Sequence, residues 1–482
     1  MLFSSQVFVL GFLPVCLAGF FLLGHWAGRE WALRWLLAAS FLFYGWWHLP
    51  LVALLGASIA GNFLLGQRLF SCGGRGWLIA GIGGNLVLLG WFKYAGFFAG
   101  IVLGPTAPHW DIVLPLAISF FTFQQIMYLV DSFRRDRAPA GFVAYATFVA
   151  FFPHLIAGPI VRPREIIPQL MAPDLAVPRA DNLREGLLRF LLGLAKKLVL
   201  ADTFAAFADP GFDAAGRGMD LSFVEAWVAV LAYSLQLYFD FSGYSDMAIG
   251  LARMLNVRFP ENFNSPYQAR DIGDFWRRWH ITLSQFLRDY VYIPLGGNRH
   301  GAARRWTNLM ITMLLGGLWH GASWNFVLWG GLHGFFLAVH AGWRGLRLPL
   351  PYGLAQGMTL FCVVVAWVPF RAADLPATGR MLQAMVGING IALPRLIVGW
   401  WPALQAWITP VPVLAYLGDA RTLSLPEAAV CLCLGWAIVL ALPNIGAMGP
   451  RARLGALTAG FALTVQALFL APHVSPFLYF RF

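Results

Sequence analysis

Long stretches of this chain carry no Asp, Glu, Lys or Arg: 1–28, 35–67, 112–130, 138–161, 306–343, 348–370, 396–418, 428–450 and 454–480. Each approaches or exceeds the roughly 20 residues an α-helix needs to cross a bilayer. In lipid a helix satisfies every backbone polar group within its own segment, so such runs read as helices. The 35–67 stretch has room for two spans, with a turn at His48-Leu49-Pro50. The first run lacks a basic leader and a small-residue cleavage site before Arg29, which reads as a retained span rather than a signal peptide. The pattern predicts an all-α polytopic integral membrane protein, a single domain over 1–482 with about eleven transmembrane helices.

One region breaks the pattern. Residues 253–305 hold nine arginines against four acids, Glu261, Asp271, Asp274 and Asp289. Between Phe275 and Tyr290, the apolar residues Trp276, Trp279, Leu283, Phe286, Leu287 and Tyr290 recur every three or four positions. That spacing predicts one amphipathic helix lying in, or re-entering, the membrane interface. Pro294-Leu295-Gly296-Gly297-Asn298 then breaks it. Two readings of its cations stay open: lipid anchoring, or a funnel for an anionic substrate, since arginine forks grip phosphates. The CGGRGW segment at 72–77 lacks the Lys-Ser/Thr end of a phosphate loop and reads as a turn.

Composition agrees: 59% of residues are hydrophobic and 12% charged, where soluble domains carry roughly a quarter. The formal charge of +12 is what lipid-anchoring residues at span ends supply, and no nucleic-acid-binding fold is visible. The five cysteines sit mostly in apolar runs without metal-ligand spacing and read as packing residues.

The candidate chemistry lies in the charge-free run 306–343, which carries His320, His333 and His340. If a helix enters the bilayer near Trp306, His320 lies about 21 Å deep in a hydrocarbon core of about 30 Å. An imidazole at that depth reads as functional by default, and it titrates where a general base must. Gly316, Gly317, Gly321, Gly330, Gly331 and Gly334 predict a poor simple helix and a close backbone approach around a cavity. Asn325 and Trp324 are placed to supply a hydrogen bond and a wall. The thirteen- and seven-residue gaps between the three histidines do not match a zinc helix, so no metal is expected. A second cluster, YFDFSGYSDMAIG at 238–250, holds Asp240, Tyr244 and Asp246; Asp240 is deep enough in an apolar run to be buried. Its acids are expected to support the site by pairing with arginines of the following segment. His280, in WRRWH, reads from its spacing alone as a polar-face residue.

Taken together, YFDFSGYSDMAIG, DFWRRWHITLSQFLRDYVYIPLGGNRHG and GLWHGASWNFVLWGGLHG, covering 238–334 almost continuously, resemble the membrane-bound O-acyltransferase family. The likeness is to its bacterial branch that acylates cell-envelope polymers such as alginate. It implies tilted and re-entrant helices around a tunnel, His320 and His280 as the family's catalytic histidines, and a bacterial inner-membrane location. It also implies acyl transfer from a cytoplasmic thioester, with acetyl-coenzyme A the donor substrate and no bound cofactor. Arg277, Arg278 and Trp276 would face that donor. The closing FLYFRF (477–482) resembles a terminal aromatic motif of this branch, with Arg481 where many members carry Gln. There Tyr479 is the implied acyl relay, and aromatic packing at the interface is the plainer alternative. An extracytoplasmic acetyltransferase or acyl-carrier partner and a polysaccharide acceptor follow from the same likeness. D-alanyl or peptidoglycan transfer, a proton-coupled transporter using His320 and Asp240, and a scaffold with a dead site remain alternatives at this stage.

Overall fold

The structure is a computed structural model that describes residues 1–108, 110–135, 140–394, 398–399, 408–411, 414, 425–470 and 475–478. It falls into two compact units, each drawn from discontinuous sequence. One takes Met1–Ala195, Gly243–Asn262 and the segment from Gly449; the other takes Lys196–Ser242 and Phe263–Met448.

The first unit opens with a π-helical turn, Val7–Phe12, that runs into α1 (Leu13–Ala27), followed by α2 (Arg29–Gly45) and α3 (Pro50–Cys72). The chain turns between α2 and α3 where the sequence places a turn. Gly73 (φ +65°) and Gly74 (φ +103°) then reverse it as only glycine does easily, so CGGRGW is indeed a turn. Next, α4 (Arg75–Leu89) continues through a π-turn into α5 (Ala95–Leu103), giving a candidate span over Arg75–Thr106. The charge pattern conceals this span because Lys93 interrupts it; the ammonium reaches Ser119 Oγ at 3.2 Å.

Two expected spans are not through-going helices. The 112–130 run yields α6 (Ile118–Arg134), 17 residues and largely buried. The 138–161 run splits into α7 (Phe142–Ala150) and α8 (Phe152–Leu155), with Phe151 out of helical geometry at ψ 107°. Pro153 has no amide to continue the helix across that point. Then α9 (Pro163–Leu170) and α10 (Ala180–Ala195) follow.

The second unit begins with the π-turn Lys196–Ala201 and α11 (Asp202–Gly216). The 32-residue α12 (Phe223–Met254) contributes to both units. Then come α13 (Ile272–Arg278), α14 (Ile281–Leu287), α15 (Gly301–His320), α16 (Trp324–Leu346), α17 (Tyr352–Arg371) and α18 (Leu375–Met385). Two short parallel strands, β1 (Ile391–Pro394) and β2 (Ile408–Val411), pair with Ile391 opposite Ile408, a departure from an all-helical chain. Most of the 396–418 run lies outside the described residues. The unit closes with the 17-residue α19 (Leu425–Ala441), and α20 (Pro450–Leu470) returns to the first unit. Among the described residues six helices are long and apolar enough to cross a membrane, fewer than the eleven read from the sequence. Part of the shortfall is the short or broken helices over 112–161 and 425–441.

The start of α12 is fixed by a reciprocal cap. Glu225 accepts from the Ser222 amide (2.9 Å) and hydroxyl (2.7 Å), the Ser-x-x-Glu arrangement that satisfies end amides. Within the first unit, α10 and α12 lie antiparallel in intimate contact at two glycine pairs. A Cβ on Gly186 would sit 2.6 Å from the Gly250 carbonyl oxygen, and one on Gly193 2.6 Å from that of Gly243. Between these contacts Arg189 donates from Nε (3.0 Å) and a terminal nitrogen (2.9 Å) to Asp246, and from its other terminal nitrogen to Glu261 (2.7 Å).

Gly250→Leu is expected to force these helices apart at a cost of about 1–3 kcal/mol. Arg189→Met, which strands Asp246, should cost more, about 3–5 kcal/mol. Thermal unfolding in nanodiscs reads both, and unchanged midpoints would refute the contact.

Candidate active site

His320 is the last residue of α15, where the helix stops at extended Gly321. The stop is possible because α15 and α16 form a close antiparallel hairpin. A Cβ on Gly317 would strike the Phe326 carbonyl, and one on Gly330 the Met313 carbonyl. Gly317 and Gly330 therefore do not simply weaken the helices, as the number of glycines suggests; they let the two backbones touch. Packed this way, the hairpin presents His320 5% exposed amid aromatic rings, with centroids at 4.8 Å (Trp319), 5.2 Å (Trp329) and 5.1 Å (Phe370).

His280 corrects the expected continuous helix over 275–290. The helix breaks: Trp279 is extended and His280 is left-handed (φ +42°, ψ +54°) between α13 and α14. A non-glycine residue in that conformation is uncommon and is held by its surroundings. The break turns the imidazole inward, so it is fully buried rather than on a polar face, with Phe241 edge-on at 4.7 Å and Trp319 at 5.9 Å. Trp319 thus touches both imidazoles, and their centroids are no further apart than the sum of those two distances. His280 lies on a connection outside the candidate spans, and burial pushes its pKa down to about 3. A neutral imidazole can orient or donate to an oxyanion without itself being an acid.

The alternation continues. Trp329 lies 4.9 Å from His333, and His333 Nδ1 accepts a hydrogen bond from the Trp276 indole N–H at 3.2 Å. That bond leaves the His333 proton on Nε2. Sequence reasoning weighed His333 only as a metal ligand and passed over Trp319 and Trp329. The four-residue step from Trp329 to His333 on one helix face was the available signal. Among the described residues no cluster of three metal-capable side chains exists. Asn325 is buried in the first turn of α16, where its amide donates to the Ala372 carbonyl (2.7 Å) and its oxygen accepts from Thr378 (3.4 Å). It ties α16 to the start of α18.

Asp240 is buried, as expected, but its partner precedes it. Lys197 Nζ lies 2.8 Å from Asp240 and 2.8 Å from Asp202. Asp246, in the first unit, likewise pairs with the earlier Arg189 rather than a following arginine. Arg277 and Arg278 share the acids at the head of their own helix: Arg277 with Asp274 (3.5 Å) and Asp271 (3.9 Å), Arg278 with Asp274 (3.0 Å). By contrast, Arg299, Arg304 and Arg305 have no carboxylate within 4 Å among the described residues. Tyr244, in the first unit, stacks on Phe3 (4.9 Å) and meets Phe477 of the terminal motif edge-on (4.4 Å). Tyr479 itself lies outside the described residues.

A family model for membrane-bound O-acyltransferases matches residues 109–369. The peptidoglycan O-acetyltransferase of Helicobacter pylori is 43% identical, covering 82% of this chain and 82% of its own length. A probable alginate O-acetylase of Pseudomonas putida is 41% identical over 86% of each chain. The teichoic acid D-alanyltransferase of Bacillus subtilis is 27% identical over 49% of this chain and 61% of its own.

The Lys197–Asp240 pair yields a direct test of structure against function. Lys197→Met alone strands Asp240 and should destabilise the protein by about 3–5 kcal/mol, while Lys197→Met/Asp240→Leu should recover most of that. Unfolding midpoints give the stability. Acyl transfer by the stable double variant then separates a scaffold role, which it keeps, from a proton-handling role, which it loses.

Proposed function

The chain belongs to the membrane-bound O-acyltransferase family, and on that basis we propose that it moves an acetyl group from acetyl-coenzyme A on the cytoplasmic side to O-acetylate a cell-envelope polysaccharide outside. The two long relatives carry acetyl-transfer names with different acceptors, alginate and peptidoglycan, so the acetyl group is the shared feature. The D-alanyl relatives cover only about half of this chain, which favours acetyl over D-alanyl. The protein is an O-acyltransferase of the bacterial cytoplasmic membrane in this reading, working with an extracytoplasmic acetyltransferase or acyl-carrier partner.

The observation that carries the chemistry is the pair of buried imidazoles sharing Trp319. His320 takes the proton from an acceptor hydroxyl as its oxygen attacks the thioester carbonyl. His280, neutral, donates toward the developing oxyanion, an effect most valuable where water is excluded. The tetrahedral intermediate collapses, the carbon–sulfur bond breaks, and the coenzyme A thiolate takes the proton back from His320. Trp276 and His333 hold α13 against α16, and with it the residues leading into His280. Asn325 positions the start of α16 and so the floor beneath His320. Arg299, Arg304 and Arg305, with Arg277 and Arg278 some twenty residues earlier in the sequence, attract the donor phosphates. The acceptor hydroxyl is that of Tyr479 or of the polymer. Burial of Phe477 and Leu478 favours an anchored tail over a loose one.

The decisive experiment follows coenzyme A release from acetyl-coenzyme A by the full chain in nanodiscs, with His320→Ala alongside. A burst near one equivalent without added polymer, abolished in the variant, is expected. Equal release from a folded His320→Ala protein sinks the assignment, and acceptor flux without thioester cleavage points to transport instead. His280→Gln should lower kcat by about tenfold to a hundredfold while leaving the acid limb of the kcat/KM profile in place. A displaced limb would mean that His280 titrates in the working range.

A further inference from the structure

We propose that the groove between α10 and α20 binds one anionic phospholipid. It encloses about 640 Å³, within the roughly 300–1,000 Å³ typical of small-molecule sites. Its lining sorts by chemistry. Arg184, Glu185, Arg451 and Arg453 cluster at one end, and Leu187, Leu188, Leu191, Leu454 and Leu457 form the walls.

The charged end carries excess positive charge. Glu185 is engaged by Arg253 (3.1 Å) and Arg453 (3.7 Å). Arg184 and Arg451 have no carboxylate within 4 Å among the described residues, and Asp181 is the only other acid in the lining. Basic pockets between membrane helices are suited to lipid phosphates.

The depth order fits the same molecule. Since α20 is a candidate span that starts at Pro450, Arg451 and Arg453 sit at its membrane boundary. At 1.5 Å per residue, Leu454 and Leu457 lie roughly 4–9 Å further in than Arg451. The order repeats in α10, with Arg184 and Glu185 before Leu187, Leu188 and Leu191. Leu187 and Leu454 are about half exposed, at 47% and 53%, so the walls need an apolar cover. Free phosphate would satisfy the arginines and leave the leucines open. A zwitterionic lipid would cover the leucines and leave the charge unmet. A phosphate with an acyl chain and net negative charge meets both demands. Only 6% of the apolar window of α20 is buried by protein, so this helix leaves apolar surface for an acyl chain to cover.

The test uses native mass spectrometry of the full chain released from nanodiscs of phosphatidylcholine with or without phosphatidylglycerol. Wild type should retain one phosphatidylglycerol, and Arg184→Gln/Arg451→Gln should weaken retention roughly tenfold or more. Leu191→Trp, which fills the groove and leaves the arginines intact, should expel the lipid as well. It thereby guards against a double variant that simply misfolds. Arg68→Gln, a basic residue outside the groove, should retain it. Equal retention in the groove variants, equal retention of phosphatidylcholine, or displacement by inorganic phosphate alone would each overturn the proposal.

Discussion

A charge placed inside an apolar bundle must find its counter-charge there, because several kcal/mol of lost hydration per ion has no other source of compensation. The long helix α12 carries two such charges, Asp240 and Asp246, each almost fully buried. Lys197 and Asp202 complete the first network, and Arg189 and Glu261 complete the second. Neither pairing survives loose packing. In the second network the glycine contacts at Gly186–Gly250 and Gly193–Gly243 bracket the ion pair and hold the helices close enough for Arg189 to reach. Small residues give close approach, close approach gives a short ion pair, and the ion pair fixes rotation about the helix axis. The positions of the neighbouring α12 side chains in the first unit follow from that rotation.

At the histidines local backbone preference gives way. An uninterrupted amphipathic helix would turn His280 outward; a single left-handed residue turns it inward against Phe241 and Trp319. Likewise α15 stops at His320, where a straight span would carry it on. Violations of local rules at a site, compensated by packing around it, are what a working site is expected to show. The compensation here is aromatic: rings around His320 and His280 fill space, exclude water and carry few hydrogen bonds that would compete for the imidazoles.

Much of this was legible in the sequence. Charge-free runs marked the apolar helices, the α2–α3 turn and the CGGRGW turn fell where composition placed them, and burial of Asp240 followed from its depth in an apolar run. Four things were not legible, each for a physical reason. Lys93 hid the α4–α5 span because a charge count cannot see that a lysine has a local partner. The break at Trp279–His280 hid behind a sound helical period, because periodicity records which side chains are apolar and not whether tertiary contacts hold one residue left-handed. The partners of Asp240 and Asp246 lie on helices some forty to sixty positions earlier, and no spacing rule reaches across that distance. His333 was missed because it was weighed as a ligand among histidines rather than as one face of a tryptophan.

Tyr244 joins two ends of the chain. Phe3 stacks on one side of it and Phe477 meets it edge-on, so the aromatic core of the first unit contains residues from the third position and from the four hundred and seventy-seventh. During synthesis, the early rings must wait in the membrane without this late partner until Phe477, more than 470 residues after Phe3, has been translated. Completion of this core therefore waits on Phe477. A chain cut short before Phe477 leaves an unfilled aromatic socket at Tyr244, so the rings of the opening residues pack fully only once a segment of the far end of the sequence has docked on them.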